Sequence, residues 1–148
     1  MAQVEMTVDS VRVALINYQR AVILKEKNEE RYLPIWVGAY EADAIATGLL
    51  KINACASGPL IHDFVCSVIS KLGATLKYVV VDKFIQDTFH AKVFLEREGE
   101  TLEIDCRPSD AFATAIRAGA PIYVTEKILK EAGLTLSEID KITRSQKG

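Results

Sequence analysis

The sequence predicts a single compact α+β domain with a mainly antiparallel sheet and three to four helices. A length of 148 residues is typical of one domain, and a hydrophobic fraction of 49% supplies enough apolar side chains for a continuous core. Segments with helical periodicity interrupt segments with strand periodicity, without the regular β–α–β alternation of a parallel sheet. We therefore expect an α+β domain over residues 1–133 and a polar tail over residues 134–148.

The amino-terminal part of the chain predicts a β-hairpin and a third strand. Residues Val4–Leu15 alternate between apolar and polar side chains, and the apolar run Ala21–Leu24 follows a short polar connection. A charged loop over Lys25–Arg31 leads to the β-leaning segment Tyr32–Val37. Because Pro34 has no N–H to donate to a neighbouring strand, this segment is expected at a sheet edge or at a strand end.

Two helices are predicted in the middle of the chain. Helical spacing of apolar residues begins after Gly38 and continues to about Ile52. The breaker Ser57-Gly58-Pro59 separates this helix from a second one. The apolar face of the second helix runs over Phe64–Leu72, and Gly73 is expected to end it.

The remaining elements are a predicted antiparallel meander, a third helix, a short strand and a short fourth helix. The meander is predicted from the apolar run Tyr78–Val81, from the alternation over Phe89–Glu96 and from the turn residues Glu98-Gly99. Gly119 is expected to end the third helix, and Thr125 is a candidate cap for the fourth. The tail beyond residue 133 is polar and is expected to fray. In order, the elements are Thr75–Ile85, Phe89–Glu96, Thr101–Asp105, Ala111–Ile116, Pro121–Val124 and a two-turn helix up to Gly133.

Composition restricts the classes of function. Lys and Arg number 18 against 20 for Asp and Glu, so any nucleic-acid contact has to come from a local patch. No stretch approaches the roughly 20 apolar residues that span a bilayer, and the amino terminus lacks the pattern of an export signal. Three cysteines without CxxC spacing argue against a disulfide framework and a structural zinc site. We expect a soluble cytoplasmic protein.

The run Asp105-Cys106-Arg107-Pro108-Ser109-Asp110 joins a predicted strand to a predicted helix and is the strongest candidate for a functional site. Its last three residues have a structural explanation, because Pro fits a first helical turn and Ser and Asp oxygens accept hydrogen bonds from free helix amides. Asp105 and Arg107 have no such explanation. They could help to bind a phosphate or a hydrated metal ion, or Arg107 could pair with a carboxylate and only fix the turn.

Other candidates lie at the starts of the two earlier helices. His62 beside Asp63 could act as a general base or bind a metal, but neighbouring helix residues point about 100° apart and Asp63 also suits a helix start. Glu41 has the same helix-start explanation. Trp36, the only tryptophan, could pack in the core or stack on a base. His90 lies in mid-strand and is expected to be structural.

Four segments in register resemble the bifunctional nuclease (BFN) domain family over roughly residues 5–130. The resemblance implies a compact α+β domain, often self-associated, and members of the family have been assigned DNase and RNase activity. Gly58 and Ile61 stand where the family pattern has Arg and Thr, and His90 stands in place of Tyr, which leaves Arg107 as the expected phosphate contact. The segments are Leu33-Pro34-Ile35-Trp36-Val37-Gly38 with Glu41-Ala42, Pro59-Leu60-Ile61-His62-Asp63, Asp105–Ala111 and Pro121-Ile122.

Two functions are compatible with these residues. The first is hydrolysis of phosphodiester bonds in RNA or DNA, with Mg²⁺ or Mn²⁺ as a candidate cofactor and a homo-oligomer as the expected assembly. Its candidate catalytic residues are His62, Asp63, Asp105 and Asp110, and its candidate substrate contacts are Arg107, Trp36 and Glu41. The second is a non-catalytic binding or regulatory module for a small anion or a partner protein, which the acidic isoelectric point and the missing basic groove favour.

Overall fold

The computed structural model describes residues 2–50 and 61–145 of the chain, and within them eight strands form one sheet against which five helices pack. The strands are β1 (Gln3–Ala14), β2 (Arg20–Glu26), β3 (Tyr32–Val37), β4 (Thr75–Ile85), β5 (Thr88–Arg97), β6 (Glu100–Cys106), β7 (Ile122–Thr125) and β8 (Thr143–Ser145). The helices are α1 (Ala39–Leu50), α2 (Ile61–Lys71), α3 (Pro108–Ala118), α4 (Glu126–Ala132) and α5 (Leu136–Ile142). The predicted α+β class is confirmed.

The sheet is mixed, whereas a mainly antiparallel sheet was expected. Its order is β3-β2-β1-β7-β4-β5-β6, with β8 pairing β1. Six of the described strand pairings are antiparallel, and β7 pairs β4 in parallel. The parallel pair arises because β6, α3 and β7 form a crossover, so the strand that returns runs in the direction of β6 and therefore of β4. The helix in this crossover carries half of the candidate site.

Five helices replace the expected three to four, and the expectation of a frayed tail is wrong for residues 134–145. Thr135 and Glu138 form a reciprocal capping box at the start of α5. Ile139 is fully buried in a small cluster with Ala21, Ile23 and Tyr32, and β8 pairs β1. A seven-residue helix with a single buried side chain leaves too weak a periodicity to predict from the sequence.

The other predicted elements are found close to their expected positions. β1 and β2 form the hairpin, β4, β5 and β6 form the meander, and β3 lies at the sheet edge with Pro34 in it. Gly119 caps α3 with φ 68°, in the left-handed region that glycine adopts at little cost. Thr125 precedes α4, although its side chain makes no cap hydrogen bond. Ile52 and the breaker Ser57-Gly58-Pro59 lie outside the described residues.

The main core lies between one face of the sheet and helices α1, α3 and α4. Alternate residues of the central strands point into it, such as Val79 and Val81 of β4, while Phe112 of α3 is fully buried. Full burial of a side chain of this size stabilises the fold by about 3 kcal/mol. This packing sets the first turn of α3 beside the first turns of α1 and α2. No helix within residues 2–50 and 61–145 is long and apolar enough to cross a membrane.

Candidate functional site

Arg107 is the residue between the end of β6 and the start of α3. Its backbone is extended, with φ −73° and ψ 148°, and Pro108 begins the helix, as the sequence predicts. Its Nε donates to Oδ2 of Asp110 at 2.9 Å and its Nη2 to Oδ1 at 3.3 Å. Its Nη1 donates to Oε2 of Glu41 at 3.0 Å. One guanidinium therefore joins the first turns of α1 and α3, and two hydrogen-bonded carboxylates hold the pKa of Arg107 above its ordinary value.

His62, at the start of α2, completes this cluster. Its Nε2 lies 3.0 Å from Oδ1 of Asp110, and the residue is 8% exposed. Burial alone would raise the pKa of Asp110, but hydrogen bonds from Arg107 and His62 outweigh it and lower that pKa below its ordinary value. Asp110 is therefore ionised at neutral pH, and it fixes the orientation of the imidazole. We refer to His62, Asp110, Arg107 and Glu41 as the helix-start cluster.

The second ring nitrogen of His62, Nδ1, has no hydrogen-bond partner among residues 2–50 and 61–145. This atom is also buried. Because the Asp110 carboxylate can only accept, Nε2 carries the proton of the neutral ring and Nδ1 keeps a lone pair. A buried polar atom left unpaired costs about 1–3 kcal/mol. Such an atom is uncommon in a folded protein, and here it gives the imidazole an unused proton acceptor.

Asp63 does not join the helix-start cluster. Its Oδ1 accepts from Nε of Arg117 at 3.0 Å. Arg117 also donates to the main-chain oxygens of Ala113 and Ala44, so this side chain links α1, α2 and α3. Neighbouring helix residues point about 100° apart, so Asp63 and His62 face different partners. The sequence had left open whether these two residues share a site.

Asp105 is also separate from the cluster. It is exposed on β6, where side chains alternate between the faces of the sheet, and its neighbours Ile104 and Cys106 line the cavity beside His62. Asp105 faces the other way, opposite Lys92 of β5, and makes no ion pair or side-chain hydrogen bond with any described residue. The structure thus brings together His62, Asp110, Arg107 and Glu41, and leaves Asp105 and Asp63 outside.

Two cavities meet at Arg107 and Glu41, which line both. The first, of about 800 Å³, lies among α1, α2, α3 and the last two strands of the meander, and its walls are mostly apolar, as at Val65, Ile69 and Val93. The helix-start cluster forms its polar end. The second, of about 620 Å³, contains Trp36, which is 46% exposed and so is not a core residue. His90, on β5, is exposed and lines neither cavity.

The donor set does not form a preassembled metal site. Within the described residues, no group of three or more His, Cys, Asp and Glu side chains is placed to hold an ion. The Arg107 guanidinium occupies the space between Glu41 and Asp110, where an ion would need their oxygens. Cys106, next to the cluster, is a free thiol, and its burial, followed by the charges of Asp110 and Asp105, raises its pKa to about 11. It is therefore a protonated and poor nucleophile at neutral pH.

Two features of the site could not be found by sequence motifs. Arg117 lies in the last turn of α3, where nothing in the sequence distinguishes it from a surface arginine, yet its side chain is 8% exposed. Phe84 and Phe89, at the tip of the β4–β5 hairpin, line the second cavity with Trp36. Two aromatic residues separated by a short polar turn were a weak signal that the hairpin tip is more than a connection.

Comparison with known proteins finds one domain family and several relatives. A family model described as the bifunctional nuclease domain matches residues 22–137. An uncharacterized protein of Mycobacterium tuberculosis is 39% identical over 134 residues, which cover 90% of this chain and 79% of that protein.

The plant relatives are more distant and longer. Bifunctional nuclease 2 of Oryza sativa subsp. japonica is 32% identical over 120 residues, which cover 78% of this chain and 36% of that protein. Bifunctional nuclease 1 of Arabidopsis thaliana is 29% identical over 127 residues, which cover 83% of this chain and 38% of that protein. The chain thus spans just over a third of the length of these plant proteins.

Proposed function

Because the chain belongs to the bifunctional nuclease domain family, we propose that it hydrolyses phosphodiester bonds in RNA, DNA or both. The observation that carries this proposal is the 3.0 Å contact between His62 Nε2 and Asp110 Oδ1 at the polar end of a large cavity. An imidazole held by a carboxylate is the commonest general base or acid in hydrolytic sites.

We assign a role to each residue of the helix-start cluster. His62 takes the proton of the attacking water or ribose hydroxyl as the new P–O bond forms, and the leaving ribose oxygen takes a proton from water as its bond to phosphorus breaks. Asp110 holds the ring and stabilises the imidazolium that forms. Arg107, 64% exposed in its side chain, turns from its carboxylate partners to the phosphate, whose charge it matches bidentately. Glu41 holds Arg107 in place before substrate binds. Because Nδ1 of His62 is buried, neighbouring side chains have to move before the nucleophile reaches it.

The Mg²⁺ or Mn²⁺ expected from the sequence stays a prediction, and no step above depends on an ion. If an ion binds, Glu41 and Asp110 are the carboxylates of the cluster that would have to leave Arg107 to hold it. Such an ion would polarise the phosphate. Each cleavage assay is therefore run both with Mn²⁺ and with a chelator.

We expect His62→Ala to reduce cleavage of single-stranded RNA and DNA by at least about a hundredfold, since a positioned general base contributes about 10²–10⁴ in rate. Asp110→Asn should reduce it by a similar factor, because the amide no longer stabilises an imidazolium. Initial rates on end-labelled oligonucleotides measure both effects.

Asp105→Asn tests whether Asp105 is catalytic, as the sequence predicts, or lies outside the active site, as its position on β6 indicates. The side chain lies on the other face of β6, so this variant should cut within about twofold of the parent, as should the matched control Glu103→Gln on the same strand. If Asp105→Asn loses activity while His62→Ala retains it, the helix-start cluster is not the active site.

A second candidate is a non-catalytic module that binds a small anion or a partner protein. It is favoured by the pairing within the cluster, where Arg107 already contacts two carboxylates. Under this candidate, purified parent protein cuts neither nucleic acid, with or without Mn²⁺, while an anion still shifts its melting temperature.

We also propose a cytoplasmic location, nucleic acid as the partner and a homo-oligomeric assembly. Self-association is supported by an apolar stripe on α2 and the turn after it, whose residues are exposed by 39–65%: Ile61, Phe64, Val68 and Leu72. An exposed apolar stripe of this length is typical of an interface.

A further inference from the structure

The residues that line the second cavity suit a nucleotide better than a purely apolar ligand. One wall is aromatic: Trp36 and Phe84 are 46% and 38% exposed, and Phe84 stacks on Phe89 with 4.3 Å between ring centroids. Flat aromatic surfaces of this kind stack on unpaired bases, at about 1–3 kcal/mol per base. Asp87 and Thr88, on the same hairpin tip, add polar groups that can pair with a base edge.

Hydrogen-bond donors at the start of α3 also line this cavity. Ser109, which is 6% exposed, is one of the lining residues. It lies in the first turn of α3, an 11-residue helix whose first amides have no side-chain cap. A serine hydroxyl beside uncapped helix amides can donate hydrogen bonds to the oxygens of a phosphate or a sugar.

Arg107 connects this cavity to the helix-start cluster, because it lines both cavities. A phosphate bound to the guanidinium would therefore have the His62–Asp110 pair on one side and the aromatic wall on the other. Because Arg107 lines both cavities, the base attached to a phosphate bound at Arg107 can lie in the second cavity.

We propose that the second cavity is a nucleobase subsite, in which the base next to the scissile phosphate packs against Trp36 and Phe84 while Ser109 contacts the backbone. This inference rests on the proposed function for the position of the phosphate. It names the substrate class of the site as single-stranded nucleic acid, since a base paired within a duplex cannot enter the cavity.

Trp36 reports directly on this subsite, because it is the only tryptophan in the chain. A single-stranded DNA octamer should quench its fluorescence in a saturable way. An octamer of the same length with abasic sugars, and the same sequence in a duplex, should bind at least about tenfold more weakly, as expected from the loss of one stacked base.

Two variants separate the subsite from the hairpin around it. Phe84→Ala should weaken octamer binding about tenfold, whereas Ile85→Ala, the exposed neighbour that lines neither cavity, should not change it. Circular dichroism melting of both variants checks that they fold. Equal quenching by the base-bearing and abasic octamers, no binding of the base-bearing octamer, or equal binding by Phe84→Ala and the parent would each overturn the subsite.

Cleavage measured on the same samples distinguishes the two proposals. Base-dependent quenching without cleavage supports the subsite and contradicts the nuclease assignment. Cleavage without any base-dependent quenching does the reverse. His62→Ala should bind the octamer as tightly as the parent, since His62 does not line the second cavity.

Discussion

Asp110 is the residue at which the interactions of the site converge. Its carboxylate accepts from Arg107 and His62, and its main-chain oxygen accepts from the Thr114 hydroxyl at 2.6 Å. It also lies in the first turn of α3, where the helix dipole favours a negative charge. The same contacts that orient His62 therefore stabilise the folded chain.

The lowered pKa of Asp110 predicts how its contribution depends on pH. A carboxyl group whose pKa is lower in the folded state stabilises the fold above its unfolded pKa of about 4, and this stabilisation is lost as the pH falls through the folded pKa. Asp110→Asn should therefore lower the free energy of unfolding by about 1 kcal/mol at pH 7, since the pairs are partly screened by solvent. Urea unfolding of both proteins at pH 7 and pH 3 measures the difference.

At pH 3 the gap between parent and Asp110→Asn should be smaller than at pH 7. A gap that stays constant between the two values would mean that the ionised carboxylate is not what stabilises this helix start. Asp140→Asn, which removes an exposed carboxylate paired with Arg12, is a control for loss of a surface ion pair.

The sequence identified the candidate residues but could not show which of them are in contact in the folded chain. His62, Asp110, Arg107 and Glu41 were all site candidates in the sequence, although a helix start also explained Asp110 and Glu41; these four are in contact. Asp105 lies outside the cluster because its side chain is on the face of β6 opposite to that of its neighbours Ile104 and Cys106. A spacing in sequence does not state the face on which a strand residue lies until the register is known.

Among the elements, α1, α2 and α3 are held together by Arg117. Its guanidinium satisfies two main-chain oxygens and Asp63 while its side chain is only 8% exposed. Replacement by Met keeps the apolar stem but removes the charge and the hydrogen bonds to Asp63 and to the two main-chain oxygens. We expect Arg117→Met to lower the free energy of unfolding by about 2–3 kcal/mol, measured by urea unfolding.

Arg97→Met is the matched control, because Arg97 is exposed at the end of β5 and forms no ion pair with a described residue. It should change the free energy of unfolding by less than about 0.5 kcal/mol. Equal losses in the two variants would contradict the structural role of Arg117.

Among helices and strands, the sequence predicted best those elements that bury one face. The alternation in β5 and the glycine that ends α3 predicted those elements directly. The parallel pairing of β7 with β4 could not be predicted, because β7 has only four residues and its neighbour is chosen by the route of the β6–α3–β7 crossover.

For the whole molecule, the stripe on α2 predicts self-association. His62 is the only residue of α2 that is buried, and Phe64 and Val68 of the same helix are 56% and 39% exposed. Phe64→Glu places a charge in the middle of the stripe and should shift the parent oligomer toward a monomer by at least about tenfold in dissociation constant. Light scattering over a range of protein concentrations measures the shift.

Lys71→Glu changes the charge by a larger amount at the end of the same helix, and should leave the oligomer intact if apolar contact drives assembly. A parent protein that is monomeric at all concentrations would contradict the prediction. Dissociation by Lys71→Glu alone would point to an interface governed by charge.

The position of β7 has a consequence for how a nascent chain acquires this structure. Residues 122–125 fill the centre of the sheet, between the first strand and the meander, and pair Gln3 with Thr125. Until they are synthesised, β1 and β4 each present an unpaired edge on which another chain can dock. Closure of the sheet therefore waits for contacts between distant parts of the sequence, which makes folding slow relative to that of a helical protein of this length.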